Sequence, residues 1–373
     1  MTPERFQSIT GNYANHTIAV VGDFCLDRYL EIDPARTETS LETGLPVHNV
    51  VSVRGQPGAA GTILNNLVAL GIGTLYPVGF CGDDGEGFEL QRALAAKPGV
   101  RLDGLVVTGE RRTFTYCKPL VLEPGRPPVE LNRLDSKNWT PTPASVEARL
   151  TQAIQNLASN IDALILLDQV DLADTGVVTR RVLETVSRVA AQQPGLPILA
   201  DSRRGLRDFP PVIYKMNARE LAALTGTAPG ANLEAIRQTA LGLARTNGRE
   251  VFVTLAERGM VGASPSGVTE QVPALPVRGE IDIVGAGDAV TANLTAALAG
   301  GATLREALEL ASVASSIVIH QLGTTGTASV AQIRDLGASC RGAAGMNDTD
   351  TPHPSFGLPL PLGGGEGRGE RSV

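Results

Sequence analysis

The stretch Asp282-Ile283-Val284-Gly285-Ala286-Gly287-Asp288, followed by AVTANLTAALAGG, decides how this chain is read. Three small residues in a row, Gly285, Ala286 and Gly287, let the backbone turn tightly and come close to a ligand. Ala289 to Ala299 spells a helix of small side chains, and Gly300-Gly301 ends it. A helix start offers free N–H groups and the positive end of a dipole, which suits an anion. A carboxylate at that point, Asp288, is a poor anion receptor but a sensible base beside a phosphate. Alone, the stretch also fits a GxGxxG-like nucleotide loop (Gly285-x-Gly287-x-x-Val290) or a plain helix cap, so its context has to decide.

Bulk properties narrow that context. The 373 residues can bury a large core, and 42 % apolar with 19 % charged residues is ordinary for a globular α/β chain. A net charge of −7 argues against a general nucleic-acid binder. No apolar run reaches the length of a membrane span, and MTPERFQSITG lacks the order of a signal peptide, so the expected address is the cytoplasm. Cys25, Cys81, Cys117 and Cys340 form no CxxC pair, and His16, His48, His320 and His353 are scattered, so neither a metal site nor a disulfide framework is expected.

Along the chain, TIAVVG (17–22) reads as a buried parallel strand ending at Asp23. The segment 29–57 is too long for a plain connection and contains PVHNVVSVRG, so it is expected to form strands of a lid. Strand-like pieces at 103–107, 113–120 and 128–134 are expected to complete that lid, giving lid strands over about 29–57 and 103–135. Helices are expected at 58–70 and about 86–95. Strands ALILLD (163–168), 196–201, 212–216 and 250–255 then alternate with helices at 175–192, 217–224 and 233–244. Thr303-x-x-Glu306 is a capping box opening a helix to about His320. Such alternation implies a mostly parallel sheet covered on both faces, with ligands at the carboxyl ends of the strands. Asp23, Asp168 and Asp201 fall at such ends. A single domain is expected over 1–337, followed by a Pro/Gly-rich, disordered tail over 338–373.

DIVGAGD resembles the C-terminal signature of the ribokinase/PfkB-type carbohydrate kinases, written D-[TV]-x-G-A-G-D. That resemblance implies a three-layer α/β/α fold with a small β lid, ATP and Mg²⁺, an anion hole at Gly285, Ala286 and Gly287, and Asp288 as the base. Asn217-Ala218-Arg219-Glu220 resembles the N-x-x-E motif, in which Glu220 would help hold Mg²⁺ through water; by residue type alone it is equally a helix cap. Thr254 and Gly259 match a T-x-x-x-x-G segment lining the nucleotide, although a hairpin turn would explain them too. Ser312 and Gly323 match the helix and loop that close over adenine, with Ser312 where many relatives have Asn; core packing is the competing explanation.

On the acceptor side, Gly22-Asp23-Phe24-Cys25-Leu26-Asp27-Arg28-Tyr29 resembles G-D-x-x-L-D-R-Y of one branch, the kinase domain of the bacterial heptose-phosphate kinase/ADP-heptose synthases. Asp27 would bind sugar hydroxyls, with Gly58, Ala59, Asn66 and Arg133 as further substrate residues. Arg133-Leu134-Asp135 and Asp201-Ser202-Arg203-Arg204-Gly205 also match, so the resemblance spans about residues 5–335. Three departures touch the substrate. G-G-A-A-N is replaced by Gly58-Ala59-Ala60-Gly61-Thr62. T-K-x-R appears as Thr115-Tyr116-Cys117-Lys118. D-Y-x-K-G appears as Asp168-Gln169-Val170-Asp171-Leu172. Fewer basic positions weaken a sugar-phosphate acceptor, unless Lys118, Arg203 or Arg204 compensates. The expected partner is a small sugar or sugar phosphate, with neither nucleic acid nor membrane, and a homodimer through the lid is expected by the same resemblance. The rivals are a binder of sugar or nucleotide that has lost catalysis, a dinucleotide oxidoreductase, and a nucleoside or vitamin kinase of the same fold.

Overall fold

Strands that are apolar along their whole length can be satisfied only between two layers of helix. TIAVVG and ALILLD are such strands, and the computed structural model, which describes residues 1–228 and 230–344, buries both almost completely at the centre of a sheet.

Sixteen strands follow one another in the described residues. They are β1 (Thr17–Gly22), β2 (Phe24–Ile32), β3 (Glu38–Thr39), β4 (Pro46–Val47), β5 (Val50–Ala59), β6 (Thr74–Gly82), β7 (Leu105–Thr108) and β8 (Phe114–Val121). The second half holds β9 (Val129–Glu130), β10 (Leu134–Ser136), β11 (Ala163–Asp168), β12 (Ile198–Ser202), β13 (Ile213–Asn217), β14 (Val251–Thr254), β15 (Met260–Ala263) and β16 (Thr269–Val272). The ten α-helices of the described residues are α1 (Pro3–Thr10), α2 (Ala60–Ala69), α3 (Gly85–Ala95), α4 (Ala144–Leu157), α5 (Arg180–Gln192), α6 (Ala218–Thr225), α7 (Leu233–Asn247), α8 (Ala286–Ala299), α9 (Leu304–Val318) and α10 (Val330–Ala344).

Nine strands form the large sheet in the order β16-β15-β14-β13-β12-β11-β1-β6-β7. Neighbours from β14 to β7 are parallel, and β15 and β16 extend the edge as antiparallel hairpins. One face packs on α1, α2, α8, α9 and α10, the other on α4, α5 and α7, each with its own apolar core. After β1 the chain builds outward through β6 and β7, then returns to the other side of β1 at β11. The crevice between β1 and β11 is therefore the switch point where ligands bind in such sheets. Asp23 follows β1 and Asp168 ends β11, so two carboxylates mark it.

A second sheet, ordered β10-β8-β2-β5 with β9 on β8, forms the lid. Only Asp23 separates β1 of the core from β2 of the lid. The return crossing is next to it, since Ala60 N–H donates to the Asp23 carbonyl at 3.0 Å. The strand-like piece at 103–107, expected in the lid, is instead β7 on the edge of the large sheet. It follows the crossover helix α3, and a strand reached by such a crossover pairs parallel with the one before it. The domain end expected at 337 lies inside α10, because Gly337 is accommodated in mid-helix at a cost of about 1 kcal/mol rather than ending it. The rest of the expected tail, 345–373, lies outside the described residues.

Candidate active site

Helix α8 is built from small residues, which lets it lie close against the sheet, and nine of them from Ala289 to Ala297 are buried. Its N-cap, Gly285, has φ +82°, a conformation costly for any residue with a side chain, and it caps with no side-chain bond. The helix start therefore points bare backbone at the cleft. Within it the Ala286 N–H is taken by the Ile283 carbonyl at 3.2 Å. The amides of Gly285, Gly287 and Asp288 find no acceptor among the described residues. Of the three amides expected to meet an anion, that of Ala286 is taken within the turn, while those of Gly285 and Gly287 stay without a backbone acceptor, as does that of Asp288.

Asp288 lies in the first turn of α8. Its side chain keeps some surface open to the cleft, yet surrounding protein pushes its carboxyl up to about 7, with Asp201 and Asp27 adding repulsion and Lys215 opposing them. Lys215, which none of the sequence motifs singles out, sits in the same cluster. It is buried in β13, with Nζ 2.6 Å from Asp201 Oδ2. Thr291 Oγ1 donates to the same oxygen at 2.9 Å, which locks strand β12 to helix α8. A Cβ built on Gly287 would stand 3.3 Å from Lys215 Nζ, so the ammonium lies directly beneath the loop. Burial disfavours the charged amine, but Asp201 together with Asp288 and Glu220 outweighs it and raises the Lys215 pKa. A lysine inside the otherwise apolar strand Ile213–Met216 was the available signal, since a buried ammonium needs a paired carboxylate.

Asn217 and Glu220 form a full capping box on α6. Asn217 Oδ1 accepts from the Arg219 and Glu220 amides, and Glu220 Oε2 accepts from the Asn217 amide at 2.7 Å. Burial raises the Glu220 pKa, and Asp201 raises it further, while the cap bond and Lys215 pull it down. Glu220 therefore shares the electrostatic neighbourhood of Asp201, Lys215 and Asp288.

Asp27 on β2 is buried, with Lys118 Nζ of β8 at 3.5 Å, and burial raises its pKa despite that partner. Gly58 lies opposite Cys25 across β2 and β5, and a Cβ there would collide with the Asp27 carboxylate and come 2.8 Å from Cys25 Sγ. Ala59, where the resembled pattern has glycine, has φ +53° and ψ −116°. The Cys25 thiol is raised by burial and feels Asp27, Asp23 and Asp288 together, which sets those three carboxylates around one cleft.

Other expected residues are placed elsewhere. Asn66 is fully buried in α2, its Nδ2 donating to the Thr62 carbonyl at 3.0 Å, so it offers no surface to a sugar. Arg133 is half exposed, bidentate on Asp135 and over the Tyr116 ring at 5.0 Å. Thr254 ends β14, and Gly259, at φ +87°, makes the β14–β15 hairpin, where a Cβ would strike the Val272 carbonyl. Ser312 Oγ is turned to the Pro273 carbonyl at 3.3 Å. Gly323, at φ +71°, lies in the loop after α9. Asp23 is structural: its carboxylate accepts from the Gln169 amide at 2.8 Å and the Val177 amide at 2.7 Å, tying down the segment 169–177. Burial and the nearby Asp168 push it up to about 7.

Residues 15–331 match the pattern described as "pfkB family carbohydrate kinase". The chain belongs to that family. The family is described as one of carbohydrate kinases, which implies an alcohol acceptor and ATP as the donor. Among curated relatives, a "Bifunctional protein HldE" of Azorhizobium caulinodans is 31 % identical over 311 residues, covering 82 % of this chain and 61 % of that protein. One of the same name from Gluconacetobacter diazotrophicus is 30 % identical over 328 residues, covering 86 % and 64 %. The pfkB chain thus spans less than two thirds of the relatives it matches. Among solved structures, Arabidopsis thaliana ribokinase, determined with ribose and ATP, superposes with TM-score 0.60 at 19 % identity, covering 86 % of this chain and 98 % of that one. Escherichia coli phosphofructokinase-2, determined with potassium, gives TM-score 0.64 at 20 % identity, covering 87 % and 99 %. The ribokinase-like fold expected from the motifs is therefore the fold of this pfkB protein. No helix among the described residues is long and apolar enough to cross a membrane.

Proposed function

We propose that this pfkB protein transfers the γ-phosphoryl group of ATP to a hydroxyl of a sugar or sugar phosphate, with Asp288 as the general base. The observation that carries this reading is a half-open carboxylate, raised to about 7, in the first turn of a helix whose neighbouring amides are unpartnered. A base matched to neutral pH and an anion hole within one helical turn are what in-line phosphoryl transfer needs.

Asp27 would hold the acceptor's hydroxyls and Asp288 would take the proton of the reacting one. The amides of 285, 287 and 288 would receive the charge that grows on the transferred group, with Lys215 beneath them. No set of three or more His, Cys, Asp or Glu among the described residues could hold a metal by itself. An ion that keeps most of its waters, as Mg²⁺ does, needs no such set, and Glu220, whose carboxyl is raised first by burial and then by Asp201, is the carboxylate offered to it. Glu220 would hold the ion through water, and when bound it would neutralise phosphate oxygens.

Support for a lid-to-lid homodimer comes from β5, a ten-residue edge strand with Val50, Val51 and Val53 exposed, since long apolar edges tend to be covered. A monomer by light scattering would refute that pairing. The catalytic proposal is tested by ADP release from Mg·ATP over a panel of sugars and sugar phosphates. Turnover that collapses in Asp288→Asn is expected; turnover that survives the substitution removes Asp288 as the base.

A further inference from the structure

The basic side chains around the acceptor side of the cleft are each held by a carboxylate. Lys118 faces Asp27 at 3.5 Å, and Arg133 grips Asp135 at 2.7 Å. Arg204 is fixed at 2.7 Å to the fully buried Asp168. Lys137 at 2.9 Å and Arg203 at 3.7 Å share a single partner, Asp171. Between the strand ends and the lid lies a pocket whose walls include Asp23, Ala59, Phe114, Tyr116, Lys137, Trp139 and Asp171. Its ionisable walls are thus the Asp171 carboxylate against the Lys137 ammonium, with Asp23 raised to about 7 beside them.

Two of these walls are positions where the sequence departs from the resembled pattern. Tyr116 stands at the Lys of T-K-x-R, and Asp171 stands at the Lys of D-Y-x-K-G. Lys to Tyr removes one positive charge; Lys to Asp removes one and adds a negative one. The structure brings both changes into the same pocket, which is three charge units more negative than that pattern would make it. A phosphate dianion entering here would have to break ion pairs to reach a cation and would still face Asp171. Tyr116 adds an aromatic face beside Phe114 and Trp139, the kind of surface that pockets offer to neutral ligands.

We propose that the acceptor is an uncharged sugar or polyol, not a sugar phosphate, and that Asp171 with Tyr116 sets this preference. The proposal rests on the kinase reading above, and its test separates the two. Pairs of sugar and phosphorylated sugar (ribose and ribose 5-phosphate, fructose and fructose 6-phosphate, mannose and mannose 6-phosphate, sedoheptulose and sedoheptulose 7-phosphate) are compared by ADP release and by calorimetric binding in the presence of Mg·ADP. In the accepted pair, kcat/KM for the neutral sugar is expected to exceed that for its phosphate by roughly tenfold or more. Asp171→Lys is expected to shift that ratio toward the phosphate by about tenfold, with Asp171→Asn intermediate and Tyr116→Lys as a second route should the first variant fail to fold. A wild-type preference for the phosphorylated partner, or a ratio that no variant moves, overturns the proposal. Absence of turnover with every acceptor, while a neutral sugar still binds better than its phosphate, removes the kinase reading and leaves this one standing. Absence of binding by any neutral sugar overturns it.

Discussion

Asp288 can act as a base only in the fraction of molecules where its carboxyl is ionised, and its pKa of about 7 places that requirement in an accessible range. Half of the protein is competent at pH 7, about a tenth at pH 6 and about a hundredth at pH 5, because each unit below the pKa is a factor of ten. An unperturbed aspartate, near 3.9, would stay ionised across the whole of that range. The measurement is kcat/KM for the acceptor between pH 5 and 9, read by coupled ADP release, beside a carboxyl ¹³C titration of Asp-labelled free protein in which Asp288→Asn removes one signal. The expected profile rises about tenfold per unit up to near 7 and then flattens. Lys215→Met gives the sharper form of the test. Lys215 is the cation that opposes the upward push on Asp288, so its removal should move the acid limb to higher pH as well as weaken ATP binding. It also leaves Asp201 buried without its partner, a loss of about 3–5 kcal/mol in comparable pairs, so the variant is assayed well below its melting temperature. A rate independent of pH from 5 to 8, or a limb centred near 4, would refute the environment assigned to Asp288.

Three further outcomes follow from the same cleft. Gly58→Ala forces a Cβ into the Asp27 carboxylate and against Cys25 Sγ; overpacking of this kind costs about 1–3 kcal/mol, and KM for the acceptor should rise while the Kd for ATP in calorimetry stays unchanged. Ala59→Gly relieves a left-handed conformation that costs about 1–3 kcal/mol, less about 0.4–1 kcal/mol of added chain entropy, so its urea midpoint should rise; an unchanged or lower midpoint refutes the strain. Asp23, buried and raised to about 7, keeps its proton in the folded state over a window in which the unfolded chain has lost it. Folding is therefore favoured on the acid side: stability should fall by about 1.4 kcal/mol per pH unit for this group as pH rises from about 4 to 7, and then level off. Urea melts at pH 5.5 and 7.5 check this: Asp23→Asn should remove its own share of the difference and leave that of Asp288, which is also raised to about 7, while Glu306, held near 2 by Arg5, titrates below that window.

Much of this was legible because the chemistry is local in sequence. Runs such as ALILLD can be satisfied only inside a parallel sheet, and a Gly-Ala-Gly-Asp turn before an alanine-rich helix already carries its own geometry. Thr303 and Glu306 form the capping box their spacing implied. What stayed hidden is what long-range pairing decides. Lys215 becomes meaningful only when β12 brings Asp201 beside it, and the share of Lys137 and Arg203 in one aspartate depends on a loop 34 residues away from Lys137. The piece at 103–107 suits a lid strand as well as a core strand by composition, and only its position after α3 distinguishes the two and makes it part of β7. Asn66 reads as a polar substrate residue in sequence, yet helix α2 turns it inward, since which side of a helix faces the cleft depends on how the helix sits on the sheet.

Asp23, the lone residue between β1 and β2, makes the lid a long lever on a short axle. The nine residues of β2 extend roughly 30 Å at about 3.3 Å per residue, so a turn of only about 10° at that point sweeps the far tip through about 5 Å. The axle is not free to slip. Its carbonyl holds the first amide of α2, and its carboxylate holds the segment that carries Asp171. One residue thus ties the root of the lid both to helix α2 and to the segment that carries Asp171.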